Sequence, residues 1–129
     1  MFTTAAALAS YAQSSANTAS PREIVRMAYE RIITACDRAE QAERSRSGEW
    51  MQTFHDETVR AQAILIELCA GLSLQHRDPE VVALAEQLDR LYRYSIEQLV
   101  DSNMRKSSEP LHAVRLVTDG IRDAWVVTR

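Results

Sequence analysis

Four long stretches of this chain repeat their apolar residues every third or fourth position. Val25, Tyr29, Ile32, Cys36 and Ala39 make the first series, and Phe54, Thr58, Ala61, Leu65, Leu68 and Leu72 the second. Val81, Ala85, Leu88, Tyr92, Ser95 and Leu99 make the third, and Leu111, Val114, Val117, Ile121 and Ala124 the fourth. On a helix this spacing stacks side chains into one stripe, whereas a half-buried strand needs strict alternation. Ala28 and Ala35 widen the first stripe, Ile64 and Cys69 flank the second, and Leu84 and Leu91 widen the third. Stripes of this kind must be covered by something. Four of them in one short chain cover one another.

The breaks between the stripes are marked by capping residues. Ser20 is placed to accept an orphan amide, Pro21 suits the first helical position, and Glu23 stands where a capping box puts its carboxylate. The first helix is expected from Pro21 to about Arg44, followed by a polar turn from Ser45 to Gly48. The second is expected from about Trp50 to Leu72, with Gly71 near its end, where a positive φ would help to stop it. Asp78-Pro79-Glu80 restarts helix with an acceptor, a proline and an acid near the positive end of the dipole. That third helix should end near Ser102 or Asn103. Ser107 or Ser108 then caps the fourth, with Pro110 in its first turn. Helices of about 20 residues span roughly 30 Å, and short turns force neighbours to run antiparallel. The expected fold is all-α: an antiparallel up-down four-helix bundle over residues 21–129, with residues 1–20 as a mobile N-terminal arm.

A length of 129 residues fits one domain, and three glycines and three prolines leave little material for loops. The net charge of -3 argues against nucleic acid, because phosphate contacts need a basic surface. The arm is uncharged and rich in alanine, serine and threonine, but it lacks the basic start and unbroken apolar run of a secretory signal. No segment approaches the roughly 20 apolar residues that cross a bilayer. Cys36 and Cys69 fall at apolar helical positions, as small buried thiols of a reducing cytoplasm would. A cytoplasmic location is expected, without membrane insertion.

Reactive groupings are hard to assemble from what remains. His55, Asp56 and Glu57 are consecutive on a helix, so they point in different directions. His76 and His112 belong to no spacing that puts two metal ligands on one face. Glycines at 48, 71 and 120 cannot build a phosphate loop, and the serines sit at caps and in the arm. The expectation is no catalytic residue, no metal and no cofactor, hence no enzyme. Apolar residues outside the stripes carry more information. They include Ile24, Met27 and Ile33, then Ile64, Ile66 and Leu74, then Val82, Tyr94 and Ile96, then Leu116, Val126 and Val127. A bundle helix needs only about three apolar positions per heptad, so the excess either widens the core or lines a groove.

Several short motifs resemble one family. Asn17-Thr18-Ala19-Ser20-Pro21 ahead of Met27-Ala28-Tyr29 resembles the opening of FliS, the secretion chaperone that binds flagellin before export. Tyr11 lies where that family carries a tyrosine in a mobile N-terminal segment. Leu91-Tyr92-Arg93-Tyr94 resembles its third-helix motif, Asn103 falls where that helix ends, and Asp123-Ala124-Trp125 resembles a motif late in the fourth. The resemblance implies helix-in-groove binding of the C-terminal segment of flagellin, with export-gate and regulatory proteins as further partners. It implies that the arm folds over the client surface and is displaced by the client. Taken with the apolar excess, it puts client contacts at Tyr11, Ile24, Met27, Ala28, Ile64, Tyr92 and Ile96. A monomer or weak homodimer is expected. Departures from the family pattern at Arg31, Glu97 and Gln98 leave a second reading, a regulatory or scaffolding bundle with a different partner.

Overall fold

The computed structural model describes residues 20–127, and among them there are four helices and no strand. They are α1 (Pro21–Ser45), α2 (Trp50–Ala70), α3 (Pro79–Arg105) and α4 (Leu111–Val127). The expected arm and its Tyr11 lie outside the described residues, Ser20 excepted.

The caps form as their residues dictate. Ser20 is extended, and its Oγ accepts the Glu23 amide at 3.1 Å. The Glu23 carboxylate reaches forward to the Arg26 guanidinium, which holds it below its ordinary pKa. Asp78 Oδ1 accepts the Glu80 amide at 2.9 Å, and His76 Nδ1 accepts the Asp78 amide at 3.0 Å. Each such cap is worth about 1 kcal/mol to the helix it opens.

The helix ends depart from expectation in instructive ways. Gly71 follows α2 with φ -87, so it closes that helix without a left-handed turn. The left-handed stops are Arg46 (φ 47) after α1 and Lys106 (φ 51) after α3. Arg46 offsets that conformation by bonding Ala42 O at 2.9 Å and laying its guanidinium 5.1 Å over the Trp50 ring. Lys106 carries α3 past Asn103 to Arg105, and its Nζ donates to the Asn103 carbonyl at 2.8 Å and to Oδ1 at 2.9 Å. Pro110 stands just before α4, in a turn closed by the Leu111 amide on Ser108 O at 3.0 Å.

Each helix packs on the next, and α4 closes back on α1, so the four form a bundle. The cross-helix bonds show the alternating direction. Asn103 near the end of α3 meets His55 near the start of α2, with Nδ2 and Nδ1 3.0 Å apart. Arg115 near the start of α4 reaches Glu40 at 2.9 Å and Asp37 at 3.3 Å near the end of α1. The core follows the predicted stripes through Tyr29, Ile32, Cys36, Phe54, Leu65, Leu99, Leu111 and Val114. Ile24 and Ile64, counted above as excess, are buried and widen it. One polar link crosses the centre: the hydroxyls of Tyr29 on α1 and Tyr92 on α3 are 2.7 Å apart. Burial raises both phenol pKa values. Among the described residues, two buried polar atoms lack a partner, Ser95 Oγ and Glu67 Oε2.

Candidate functional site

A helix of α3 and a helix of α4 share a seam that is sealed at one end and open at the other. Near the connecting turn, Leu99, Leu111 and Val114 are fully buried. Towards the start of α3 the helices leave a groove of about 510 Å³. Leu84, Leu88 and Leu91 form its α3 wall, and Leu116, Val117, Gly120, Ile121 and Ala124 its α4 wall. Leu84 is 55% exposed and Leu91 38%, although both were expected to widen a buried stripe, and Leu116, counted among the apolar excess, is 76% exposed. Gln87 is the other α3 contribution, and Arg22 of α1 supplies the only charge on the lining among the described residues.

The groove is about two helical turns long, since Leu84 and Leu91 are seven positions apart at ~1.5 Å per residue. An apolar wall of this length suits the side chains of one amphipathic helix. Each Leu- or Ile-sized side chain seated there would gain roughly 1.5–3 kcal/mol from leaving water.

Of the seven residues singled out from sequence, the six that are described do not meet at one place. Ile24, Ala28, Ile64 and Tyr92 are buried in the core, where they shape the helices rather than present a surface. Met27 is half-buried beside a polar cleft between α1 and α2, lined also by Glu30, Arg31, Arg38, Glu57 and Arg60. Ile96 is half-buried in a shallow depression between α2 and α3 with Ile66, Leu74, Asp89 and Arg93. Tyr11 lies outside the described residues. None of the six described candidates lines the α3–α4 groove. The signal for it lay elsewhere, in Leu84, Leu91 and Leu116, and in a glycine inside the fourth helix.

Reactive chemistry finds no footing among the described residues. No group of three His, Cys, Asp or Glu side chains is placed to hold a metal ion. His55, Asp56 and Glu57 go to three separate partners, Asn103, Gln52 and Arg60. Burial pushes the Cys36 thiol up to about 12, so it stays protonated and unreactive. Cys69 is also raised, by partial burial and then by the nearby Asp89 carboxylate. No helix among the described residues is long and apolar enough to cross a membrane.

A family model described as "FliS: Flagellar protein FliS" matches residues 4–128. The chain belongs to the FliS family. Among proteins of this family, the "Flagellar secretion chaperone FliS" of Campylobacter jejuni subsp. jejuni serotype O:6 is 33% identical over 115 residues. That alignment covers 89% of this chain and 84% of the Campylobacter protein, so the likeness extends over nearly the whole bundle. The FliS match takes in the N-terminal segment, the capped start of α1, the Tyr92 motif and both walls of the groove.

Proposed function

We propose that this protein is a cytoplasmic export chaperone that binds the C-terminal helical segment of flagellin. It shields that segment from premature polymerisation and delivers it to the flagellar type III export apparatus. Family membership across residues 4–128 supports the flagellar assignment, and the Campylobacter relative carries the name of a secretion chaperone. The observation that carries the binding mode is the leucine-walled groove between α3 and α4, whose lining carries one described charge, Arg22. Flagellin's terminal helices are apolar and lack their filament neighbours before assembly, so an apolar furrow on a second protein can stand in for them. Ordering the client segment costs several kcal/mol, which keeps the complex reversible at the export gate. The cycle needs no nucleotide, metal or covalent step, and the protein acts without catalysing a reaction.

The N-terminal arm has a part in this reading. Residues 1–19 carry no charged side chain, and the chain enters α1 beside Arg22 at the groove's edge. The arm through Tyr11 covers apolar surface while no client is bound and gives way to the client. Removing residues 1–16 should increase self-association of the free protein, measured by sedimentation, and leave client binding intact or tighter. The function itself is tested by capture of full-length flagellin and of flagellin lacking its C-terminal helix. Capture of the first and loss of the second are expected, and equal capture of both moves the contact elsewhere.

A further inference from the structure

Gly120 is in the interior of α4, where a glycine lowers helix stability relative to alanine. Nothing among the described residues requires it. Its φ is not positive, and a Cβ built there meets no atom within 4 Å. The position lies on the groove wall, next to Val117, Ile121 and Ala124. Ser95 is a second departure on the same seam: it stands one turn beyond Leu91 on α3, buried, with its hydroxyl unpartnered. Both residues weaken the free bundle and gain no compensating contact among the described residues. Such local inconsistencies gather where a protein meets something else.

From these observations we infer that Gly120 is the crossing point at which the client's helix passes over α4. Helix axes that cross are separated by the side chains at the contact, and a glycine on one of them allows the closest approach. The groove therefore selects a helix with an apolar stripe about two turns long and a small residue (Gly, Ala or Ser) where it meets Gly120. A bulky client residue there would hold the helices apart and lift its neighbours off Leu84 and Leu91. The aliphatic walls on either side of Gly120 match such an apolar stripe, and Arg22 is the one described charge on the lining.

This inference rests on the proposed function, because it takes the C-terminal helical segment of flagellin as the occupant. The test titrates that segment into the full-length protein and into Gly120→Ala and Gly120→Leu, by calorimetry, and follows thermal unfolding of each protein alone. Both variants should melt above the unsubstituted protein, since the new side chain has open space and the helix gains propensity. Binding should move the other way, falling about fivefold for Gly120→Ala and about a hundredfold for Gly120→Leu, as an overfilled contact does. Equal or tighter binding by Gly120→Leu overturns the inference while leaving the proposed function standing. A lower melting temperature for Gly120→Ala also overturns it, by showing that the glycine serves the chain itself. Failure of the unsubstituted protein to bind the segment removes the proposed function and this inference together.

Discussion

The two ends of the α3–α4 seam carry similar apolar residues at the same helical spacing, yet one is sealed and the other is open. At the sealed end, Leu99, Leu111 and Val114 are fully buried beneath a set of polar ties. Ser102 Oγ donates to Ser107 O at 2.6 Å, the Ser108 amide donates to Glu43 at 2.8 Å, and Arg115 pairs with Glu40 at 2.9 Å. At the open end, Leu84, Leu91 and Leu116 face outward, and none of the hydrogen bonds or ion pairs among described residues joins α3 to α4 there. Apolar character alone did not decide burial. The helices close where the chain turns and where polar groups fasten the turn to α1, and they part with distance from it.

The largest difference should appear in stability. Leu99→Ala at the sealed end should lose about 3 kcal/mol, read as a lower urea midpoint with an unchanged slope. Leu84→Ser with Leu91→Ser at the open end should lose less, about 1–2 kcal/mol for the pair, because Leu84 is already more than half exposed and Leu91 more than a third. Equal losses at the two ends would erase the distinction. The open-end double variant should instead weaken client binding by about 2 kcal/mol or more, a loss of roughly thirtyfold in affinity. Calorimetric titration with the flagellin segment measures it, and undiminished affinity would move the contact off this groove.

The polar ties sharpen the comparison on the acid side. The Ser108 side chain, then its backbone amide and, more weakly, Arg46 hold the Glu43 carboxyl below its ordinary pKa. A depressed folded pKa means stability that is present above the unfolded carboxylate value and is lost as pH falls through the folded one. Unfolding measured between about pH 6 and pH 3 should therefore show the sealed end weakening below about pH 4.5. Glu43→Gln should cost about 1 kcal/mol at neutral pH and flatten that acid limb. The smallest effect is a gain: Ser95→Ala removes an unpartnered buried hydroxyl and should raise stability by roughly 0.5–1 kcal/mol, read as a higher urea midpoint.

Helix number and order, and the starts of α1, α2 and α3, were legible in the sequence because the chain states them in residues with local physics. By contrast, α4 begins at Leu111, after the expected Ser107 or Ser108 cap and with Pro110 in the preceding turn. Ser20-Pro21 and Asp78-Pro79 act within one turn of themselves, and the stripes through Tyr29, Leu65 and Leu99 fix which side of each helix faces in. The ends were less legible. Arg46 and Lys106 take left-handed conformations for which neither is a typical residue, and what holds them is contact with Trp50 and Asn103. The groove was least legible. Periodicity gives an angle around one helix but not the distance to the next, so it ranked Ile24 and Ile64 as excess and Leu84 and Leu91 as part of a stripe. Their burial was decided by how closely α1 approaches α2 and how loosely α3 approaches α4.

The paired phenols of Tyr29 and Tyr92 set what kind of motion this bundle tolerates. Sliding α1 along α3 by a single turn, about 5.4 Å, would strand two hydroxyls in an oily interior. Sideways gaping at the far seam leaves that oxygen-to-oxygen bond intact. The pair works as a detent: it indexes α1 against α3 lengthwise and leaves the spacing of the far seam to the side chains that meet there.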